Sequence, residues 1–325
     1  MKTPWKEVCV ALLMGAVLPG LILNFSVLLL EGNARELPIV ESIPETYAAE
    51  KVNQTVAVLF SDGSIEQMDI DAYLTGVVLA EMPADFETEA LKAQAVAART
   101  YTAKTTRAGG KHGNGSICTD SGCCQAYISE ESYLSQGGSE ENLQKVRRAV
   151  LDTSGYVLTY EGELIEATYF ACSGGSTEDA AAVWGTDYPY LQAVPSPGEE
   201  NAAHYCDTIY FTTMQFQKLT GCTFTGDPAS WFTVEAYTPG GGIESMNICG
   251  ERYSGTQLRR LLGLPSTAMS ISVEGDTITI VTKGYGHRVG MSQYGGDAMA
   301  VTGKTYPEIL AYYYPGTQLE TLTEK

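Results

Sequence analysis

The sequence predicts an α+β fold, with one large mixed-sheet domain preceded by an N-terminal transmembrane helix. Strand-like and helix-like patterns of apolar residues follow one another without regular βαβ alternation, which is typical of α+β proteins. The composition, with 44% hydrophobic residues and 34 glycines, suits a globular chain that is rich in loops. A length of 325 residues is enough to bury a substantial core in one large domain or two modest ones.

The N-terminus contains an uncharged apolar stretch, Val8–Leu30, whose 23 residues can span a bilayer as a helix. Glycines and a proline interrupt the stretch, so a cleaved signal peptide is the alternative. No small-residue cleavage pattern follows closely and Glu31 ends the run directly, which favours an uncleaved anchor. Lys2 and Lys6 precede the anchor and predict a cytoplasmic N-terminus. The chain then divides into a cytoplasmic stub with a transmembrane anchor, an extracytoplasmic tether and a folded domain: residues 1–30, 31–52 and 53–325.

The first elements of the folded domain are a predicted hairpin and a helix. Alternating residues predict a strand over Thr55–Phe60, and the SDGS turn directs the chain back from Ile65. Apolar residues then recur at helical spacing, which predicts a helix that Asp69 or Asp71 caps and that leads to Glu81.

Four further elements follow along the chain. A second helix starts near Thr88, and its many alanines would let another element approach closely. Gly155–Phe170 is predicted to form a hairpin around Glu161-Gly162, and Ser270–Thr282 a second hairpin around Glu274-Gly275-Asp276. Thr305–Tyr313 is predicted to form a short final helix.

Glu81 is the strongest candidate for a catalytic residue. It lies four residues after Val77 and three after Val78, so it continues the apolar stripe of the first helix just before Pro83. A carboxyl group there is poorly solvated and faces the negative end of the helix dipole. Both effects raise a carboxyl pKa, which is what a general acid needs near neutral pH. The alternative is an ordinary, partly exposed acid before a loop.

Three cysteines and a histidine cluster in one glycine-rich loop. Cys118, Cys123 and Cys124 fall within seven residues, shortly after His112. Three thiolates and one imidazole are enough for a closed tetrahedral zinc site. The alternative is a disulfide within the loop, which an extracytoplasmic location permits. The sequence does not show how the four scattered cysteines pair, namely Cys172, Cys206, Cys222 and Cys249.

The formal net charge of −19 argues against nucleic acid as a partner. Neutralising phosphates needs clustered lysine and arginine side chains. The charge says little about other substrates, because a site can be locally basic on an acidic protein.

Three blocks of sequence carry a resemblance to a known family. They are GVVLAEMPADFETEALKAQAVAARTY at Gly76–Tyr101, WGTDYPYLQAV at Trp184–Val194 and GYGHRVGMSQYGGDAMA at Gly284–Ala300. In this order they resemble blocks of the stage II sporulation protein D family, the peptidoglycan lytic transglycosylases of endospore formers. The resemblance spans roughly Gln54 to Leu319.

The resemblance implies that Glu81 is the catalytic residue of a membrane-anchored lytic transglycosylase. Glu81 would protonate the glycosidic oxygen between N-acetylmuramic acid and N-acetylglucosamine. As a base it would then help the muramic acid 6-hydroxyl attack its own C1, which gives a 1,6-anhydro end. The resemblance also implies zinc ligands, matched here as His112, Cys118, Cys123 and Cys124. Cys123 stands where a zinc-binding relative can have histidine, which favours a structural role for the zinc.

Ten further residues are candidates for binding the glycan strand, and they come from four places in the sequence. They are Lys92 in the second helix; Ser173, Gly174, Gly175 and Glu178 in the CSGGSTEDA loop; Trp184 and Asp187 in WGTDYPY; and His287, Gln293 and Tyr294 in the third block. The loop could hydrogen-bond sugar amides, and aromatic faces beside a carboxylate suit sugar rings. The simpler alternatives are an exposed helix lysine, two structural turns and a core position for Tyr294.

Two functions from other classes remain open on the sequence alone. A Cys-His hydrolase could use Cys172 as its nucleophile, with His287 or His204 as its base. A membrane-tethered glycan-binding scaffold would use the aromatic blocks without catalysis.

The resemblance also implies a setting and partners. The protein would be a single-pass membrane protein with its catalytic domain outside the cytoplasm, acting at the septum or engulfing membrane of a sporulating cell. Its substrate would be the glycan strands of peptidoglycan. Its partners would be an amidase that removes stem peptides and a multi-spanning membrane scaffold.

Overall fold

A computed structural model describes residues 54–112 and 115–322 of the chain. The expected transmembrane anchor and the tether after it lie outside these described residues. Across the two described ranges, no helix is both long and apolar enough to cross a membrane.

Helices and strands are mixed along the chain, which confirms the α+β class. The α-helices are α1 (Ile70–Glu81), α2 (Thr88–Arg107), α3 (Glu130–Ser135), α4 (Glu140–Asp152), α5 (Ala180–Trp184), α6 (Thr213–Thr220), α7 (Gly255–Leu262), α8 (Gln293–Val301) and α9 (Tyr306–Tyr313). The strands are β1 (Thr55–Leu59), β2 (Ile65–Asp69), β3 (Ile117–Cys118), β4 (Tyr156–Tyr160), β5 (Glu163–Leu164), β6 (Tyr169–Phe170), β7 (Cys206–Thr212), β8 (Phe232–Tyr237), β9 (Ile243–Ile248), β10 (Glu251–Ser254), β11 (Ala268–Glu274), β12 (Thr277–Lys283), β13 (Met291–Ser292) and β14 (Gln318–Thr321).

Several small sheets take the place of the expected mixed sheet. Within the described residues the strands form sheets of two or three, in the orders β2-β1-β3, β14-β4-β5, β13-β6, β11-β12-β7 and β10-β9-β8. The pairs β1–β3 and β6–β13 are parallel, and the other pairs are antiparallel. Most strands are short, and their apolar faces are covered by helices rather than by a second wide sheet.

The local elements agree with most of the sequence-based predictions. The hairpin β1–β2, the hairpin β11–β12 and the final helix α9 form where they were expected. Asp69 caps α1, because its carboxylate accepts hydrogen bonds from the N–H groups of Asp71 and Ala72. The predicted hairpin over Gly155–Phe170 is wrong beyond Leu164: β4 pairs with β5, but β6 leaves to pair with β13.

Helix α2 is buried on two sides and holds two cores together. Ala90, Leu91, Ala95 and Ala98 pack into a core shared with α1, α4 and β1. Ala93, Val96 and Ala97 pack into a second core shared with β4, α8 and α9. The short alanine side chains allow this close approach from both sides, as the sequence predicts.

A third core belongs to residues 206–283 alone. Strands β7 to β12 form two three-stranded sheets, and helices α6 and α7 pack against them through Phe216 and Leu258. The first residue of this segment, Cys206, pairs with its last, Lys283. The chain therefore enters and leaves the segment at one place, as expected of an insertion.

A buried ion pair joins α1 to α2. Arg99 on α2 is almost fully buried, and its guanidinium lies 2.8 Å from the Asp71 carboxylate. The Ser154 hydroxyl donates a hydrogen bond of 2.8 Å to the Asp71 carboxylate. Burial lowers the pKa of Arg99, and Asp71 opposes that shift, so the guanidinium depends on this carboxylate for its counter-charge.

Replacing Asp71 with asparagine should therefore destabilise the fold. We expect Asp71→Asn to lower the free energy of unfolding by about 3–5 kcal/mol, because the buried Arg99 loses its partner. Glu235→Gln is the matched control, since it removes the carboxylate charge from the solvent-exposed pair with Arg252 and should cost less than about 1 kcal/mol. If urea denaturation gave equal losses in the free energy of unfolding for the two variants, burial would not determine the strength of the Asp71–Arg99 pair.

Candidate active site and metal-binding loop

Glu81 is the last residue of α1, and the backbone leaves helical geometry directly after it. Met82 is extended (φ −132°), and its N–H still donates to the Val78 carbonyl. The Glu81 carboxylate accepts a hydrogen bond of 2.7 Å from the Ala126 N–H. Burial raises the pKa of Glu81, as expected at the end of a buried stripe, and the Ala126 N–H offsets the shift only in part.

A glycine inside α1 brings the Ala126 segment within reach of Glu81. The Ile128 N–H donates to the Gly76 carbonyl at 3.2 Å, so this segment lies directly on the helix. A Cβ atom at Gly76 would lie 2.3 Å from the Tyr127 ring and 2.6 Å from the Ile128 carbonyl oxygen. The sequence analysis missed this residue. The available signal was a glycine inside an apolar helix, which commonly has a packing reason.

Glu81 lines a groove of about 750 Å³. Ring side chains form much of its wall: Tyr101, Tyr169, Phe170, Trp184, Tyr188 and Tyr285. Trp184 is 43% exposed and Tyr285 is 46% exposed, so both rings are accessible to a ligand. Ring faces with a few polar groups, in a groove of this volume, are typical of a site for an organic ligand.

His287 lies in this wall as a neutral imidazole. Its ring packs against Trp184 at 5.3 Å and against Phe170 at 5.7 Å between centroids. Burial, with the Arg259 charge as the second cause, lowers the pKa of His287 to about 4. The Val289 N–H donates to Nδ1 at 3.1 Å, so the proton of the neutral ring resides on Nε2. His287 can therefore donate a hydrogen bond but cannot act as a cation near neutral pH.

Glu166 is the other carboxylate that lines the groove. It lies 3.2 Å from the ammonium of Lys104, in a partly exposed ion pair. This ion pair gives the Glu166 carboxylate a cationic partner at the edge of the groove. Among the described residues of the groove, the carboxyl suited to general acid catalysis is that of Glu81.

Four of the residues expected to catalyse the reaction or bind the glycan meet in the groove: Glu81, Trp184, His287 and Gln293. Gln293 is buried, and its amide nitrogen completes no hydrogen bond within the described residues. Its side chain nevertheless lies close enough to Glu81 to lower the pKa of that carboxyl slightly.

Three other expected residues lie outside the groove wall. Lys92 forms ion pairs with Glu89 and Asp152 at 3.0 and 3.6 Å, so it does not reach Glu81. The Tyr294 ring packs edge-on against Phe86 at 4.9 Å, which is the core position left open by the sequence. Asp187 is exposed between two residues of the groove wall, at its rim.

The CSGGSTEDA loop supports the groove from behind rather than lining it. Ser173 and Glu178 are fully buried. The Glu199 carboxylate accepts hydrogen bonds from the Ser173 N–H at 2.6 Å and from its hydroxyl at 2.9 Å. Arg288, next to His287, donates to the carbonyls of Ser173, Ser176 and Gly240. These contacts fix the loop to the segment between β12 and β13 that carries His287.

The two glycines of this loop serve its tight path. Gly174 and Gly175 have φ angles of +71° and +113°, which strain any residue with a Cβ atom. A Cβ atom at Gly174 would also lie 2.5 Å from the Gly284 nitrogen. The backbone conformation and the close approach of Gly284 therefore require glycine at these positions. Both glycines lie next to the segment that reaches the groove wall at Tyr285.

The geometry of Cys172 opposes the Cys-His hydrolase. Its thiol is fully buried and donates to Glu199 Oε2 at 3.1 Å. Burial and this carboxylate raise the pKa of Cys172 to about 12, which disfavours the nucleophilic thiolate. His287 makes its ring hydrogen bond with Val289, and His204 makes its own with Asp207. Neither imidazole is hydrogen-bonded to Cys172.

The four predicted ligands come together in a cluster that could hold a metal ion. The Sγ atoms of Cys123 and Cys124 each lie 3.7 Å from His112 Nε2 and 3.9 Å from each other. With Cys118 Sγ, all the ligand atoms lie within 4.8 Å of one another. Tetrahedral zinc, at about 2.3 Å from sulfur and 2.0 Å from nitrogen, separates its ligand atoms by about 3.5–3.8 Å. The cluster therefore has suitable dimensions.

The loop contains thiols rather than the alternative disulfide. Within the described part of the chain, all seven cysteines are free. Burial, with a contribution from the Cys118 thiol, raises the pKa of Cys124 to about 12. Metal ligation requires thiolates, so a bound cation would reverse this preference and release protons.

The loop with the four candidate metal ligands adjoins the groove. Cys123 and Cys124 belong to the groove wall, and Ala126, which holds Glu81, follows two residues later. The Gln125 side chain between them donates to Thr102 at 2.9 Å and accepts from Tyr169 at 2.9 Å. These contacts tie the loop to α2 and to the groove floor.

Comparison with known proteins gives a family. A model of the stage II sporulation protein family matches residues 61–160. Stage II sporulation protein D of Bacillus subtilis (strain 168) is 40% identical over 260 residues, which cover 79% of this chain and 76% of that protein. The protein of the same name from Bacillus amyloliquefaciens is 39% identical over 263 residues, with 80% and 76% covered.

A relative with a different name extends the comparison. The amidase enhancer of Bacillus subtilis (strain 168) is 30% identical, over 76% of this chain and 40% of that protein. The similarity to the stage II sporulation proteins is higher and covers most of both chains. It includes Glu81 and the loop that holds it, since both fall within the matched family region. The chain belongs to the stage II sporulation protein D family of sporulation proteins.

Proposed function

We propose that this protein is a lytic transglycosylase that cleaves peptidoglycan glycan strands between N-acetylmuramic acid and N-acetylglucosamine. One observation carries the proposal: a carboxyl group whose pKa is raised by burial, Glu81, lies in an aromatic groove whose other carboxylate is ion-paired. Glycosidases that hydrolyse their substrate generally need two carboxylates flanking the scissile bond. A lytic transglycosylase can use one, because its nucleophile belongs to the substrate.

Glu81 would act twice in the reaction. Its proton passes to the glycosidic oxygen, the bond from that oxygen to C1 of the muramic acid breaks, and N-acetylglucosamine leaves with a free hydroxyl. The Glu81 carboxylate then takes the proton of the muramic acid 6-hydroxyl as that oxygen bonds to C1. The protonated acid is restored, a 1,6-anhydro ring forms and no water is consumed. The tethered hydroxyl also benefits from a high effective concentration.

The neighbouring groups suit these two steps. The Ala126 N–H holds the Glu81 carboxyl in place and favours the carboxylate formed after the first proton transfer. The Gln293 amide nitrogen, which completes no hydrogen bond within the described residues, can donate to sugar hydroxyl or amide groups in the groove. The exposed faces of Trp184 and Tyr285 can stack on sugar rings.

The metal in this proposal is zinc with a structural role. His112, Cys118, Cys123 and Cys124 would hold it, and three thiolates with one imidazole form a closed set that leaves no position for substrate. The zinc would supply a cross-link within the loop. The residues of the loop would then hold the Ala126 N–H against Glu81.

We further propose that the protein is anchored by its N-terminal helix and acts outside the cytoplasm, during engulfment. An amidase that removes stem peptides and a multi-spanning membrane scaffold are its proposed partners. Similarity to a protein named amidase enhancer supports a role in the cell wall.

Glu81→Gln should abolish the formation of 1,6-anhydro ends while the protein remains folded. We expect a loss of about 10³-fold or more, because one residue supplies both proton transfers. Glu166→Gln is the matched control, because it makes the same change in the other groove carboxylate, and it should retain activity within about tenfold. Mass spectrometry of the released glycans measures both. A folded Glu81→Gln protein with substantial activity, or an equal loss in Glu166→Gln, would contradict the one-carboxylate mechanism.

The pH profile should report the raised pKa of Glu81. Only the protonated carboxyl donates, so kcat/KM falls as pH rises through that pKa. The Gln293 side chain lowers the pKa, so Gln293→Leu should raise it and move the alkaline limb to higher pH. Gln144→Leu, on the exposed side of α4, should leave the limb in place. A limb that stays fixed or moves to lower pH in Gln293→Leu would count against Glu81 as the acid.

The purified protein should contain about one zinc ion per chain, because the loop offers four ligands. Cys124→Ser should lose the zinc and lower the melting temperature, since structural zinc contributes to folding. Cys206→Ser, which changes an exposed cysteine outside the cluster, should retain the zinc and leave the melting temperature unchanged. Elemental analysis without metal, together with a disulfide mapped inside the loop, would refute this prediction.

A further inference from the structure

The insertion of residues 206–283 presents a sheet face that the proposed chemistry does not use. Strands β11, β12 and β7 pair in that order, and one face of this sheet packs into the third core. The other face is partly or fully exposed. Its side chains stand in four cross-strand rows: Ala268–Lys283–Cys206, Ser270–Val281–Thr208, Ser272–Thr279–Tyr210 and Glu274–Thr277–Thr212. These twelve residues are named here the open face.

The open face is rich in hydroxyl groups, and its charged residues are in the two outer rows. Lys283 is in the row nearest the groove, and Glu274 is in the row farthest from it. Tyr210 is 66% exposed in one of the two inner rows. A ring surrounded by threonine and serine hydroxyls offers one stacking surface and several hydrogen-bonding groups.

The open face begins where the groove ends. Strand β12 finishes at Lys283, and Tyr285, two residues later, belongs to the groove wall. Strand β7 starts directly after His204 and Tyr205; the His204 ring packs on Tyr285 at 4.9 Å, and the Tyr205 carbonyl accepts from the Gly284 N–H. Both strands therefore lead away from one end of the groove.

We propose that the open face binds the glycan strand beyond the groove, with Tyr210 stacking on a sugar ring. This proposal rests on the proposed function, because it extends the binding site for the same substrate. Thr279, the partner of Tyr210, lies six residues before Tyr285, which is at most about 20 Å along an extended strand. A short oligosaccharide in the groove does not reach Tyr210, whereas a long strand does.

The chemistry of the open face favours a glycan over a protein partner. The centre of a protein interface is usually apolar and contains several large side chains. Here the two inner rows contain one valine and one tyrosine among four hydroxyl residues. Sugar rings carry many hydroxyl and amide groups, which match these two rows.

Binding to glycans of two lengths tests the proposal. The full chain carrying Glu81→Gln, which should bind without cleaving, is titrated with long glycan strands free of stem peptides and with a tetrasaccharide. Adding Tyr210→Ala should weaken long-strand binding by about fivefold to tenfold and change tetrasaccharide binding by less than about twofold. Tyr237→Ala is the matched control, because Tyr237 is 61% exposed on β8 of the other sheet, and it should have no effect on either ligand.

Three results would overturn the proposal: unchanged long-strand binding in Tyr210→Ala, an equal loss in Tyr237→Ala, or an equal loss for the tetrasaccharide. Unchanged glycan binding with a sporulation defect of Tyr210→Ala in cells would assign the open face to a protein partner instead. Ser272→Glu adds a carboxylate to the row of Tyr210 and should weaken long-strand binding as well. The readout is independent of catalysis. A protein that makes no anhydro ends but binds long strands through Tyr210 would contradict the proposed function and leave this inference standing.

Discussion

The close packing around helix α2 is the constraint on which the rest of the structure depends. Its alanines let α1 and α4 approach on one side and α8 and α9 on the other. Glu81 ends α1 and Gln293 begins α8, so α2 holds these two groove residues at a fixed separation. A larger side chain in place of Ala95 or Ala97 would force the neighbouring elements apart and disturb the site from a distance.

The hydrogen bond from Ala126 to Glu81 connects two features that the sequence presents separately. One is an acid at the end of a buried helix face, and the other is a cluster of metal ligands in a glycine-rich loop. Gly76 allows the loop to lie on α1, and Gln125 fixes the loop to α2. A structural metal in this loop would therefore support the geometry of the acid without contacting the substrate.

Residues with functional side chains also build the scaffold of the groove. Glu199 and Arg288 are buried charges that gather the hydrogen bonds of the CSGGSTEDA loop. The loop in turn supports the segment between β12 and β13 that carries His287. Ser173 and Glu178 resemble binding residues by type, but their complete burial assigns them to this support.

The sequence by itself determined the α+β class, the helices that begin near Asp69 and Thr88, the final helix, two of the hairpins, the position of Glu81 at a helix end and the four residues of the candidate metal cluster. Each of these depends on contacts or spacings that are short along the chain, such as apolar periodicity, a capping aspartate or ligands within a few residues of one another. Only the tertiary structure decided which residues from distant segments share the groove. It excluded Lys92 and Tyr294, placed the CSGGSTEDA loop behind the wall and sent β6 to pair with β13. Those outcomes depend on ion pairs, ring packing and strand pairing between residues far apart in sequence, and side-chain type does not encode such contacts.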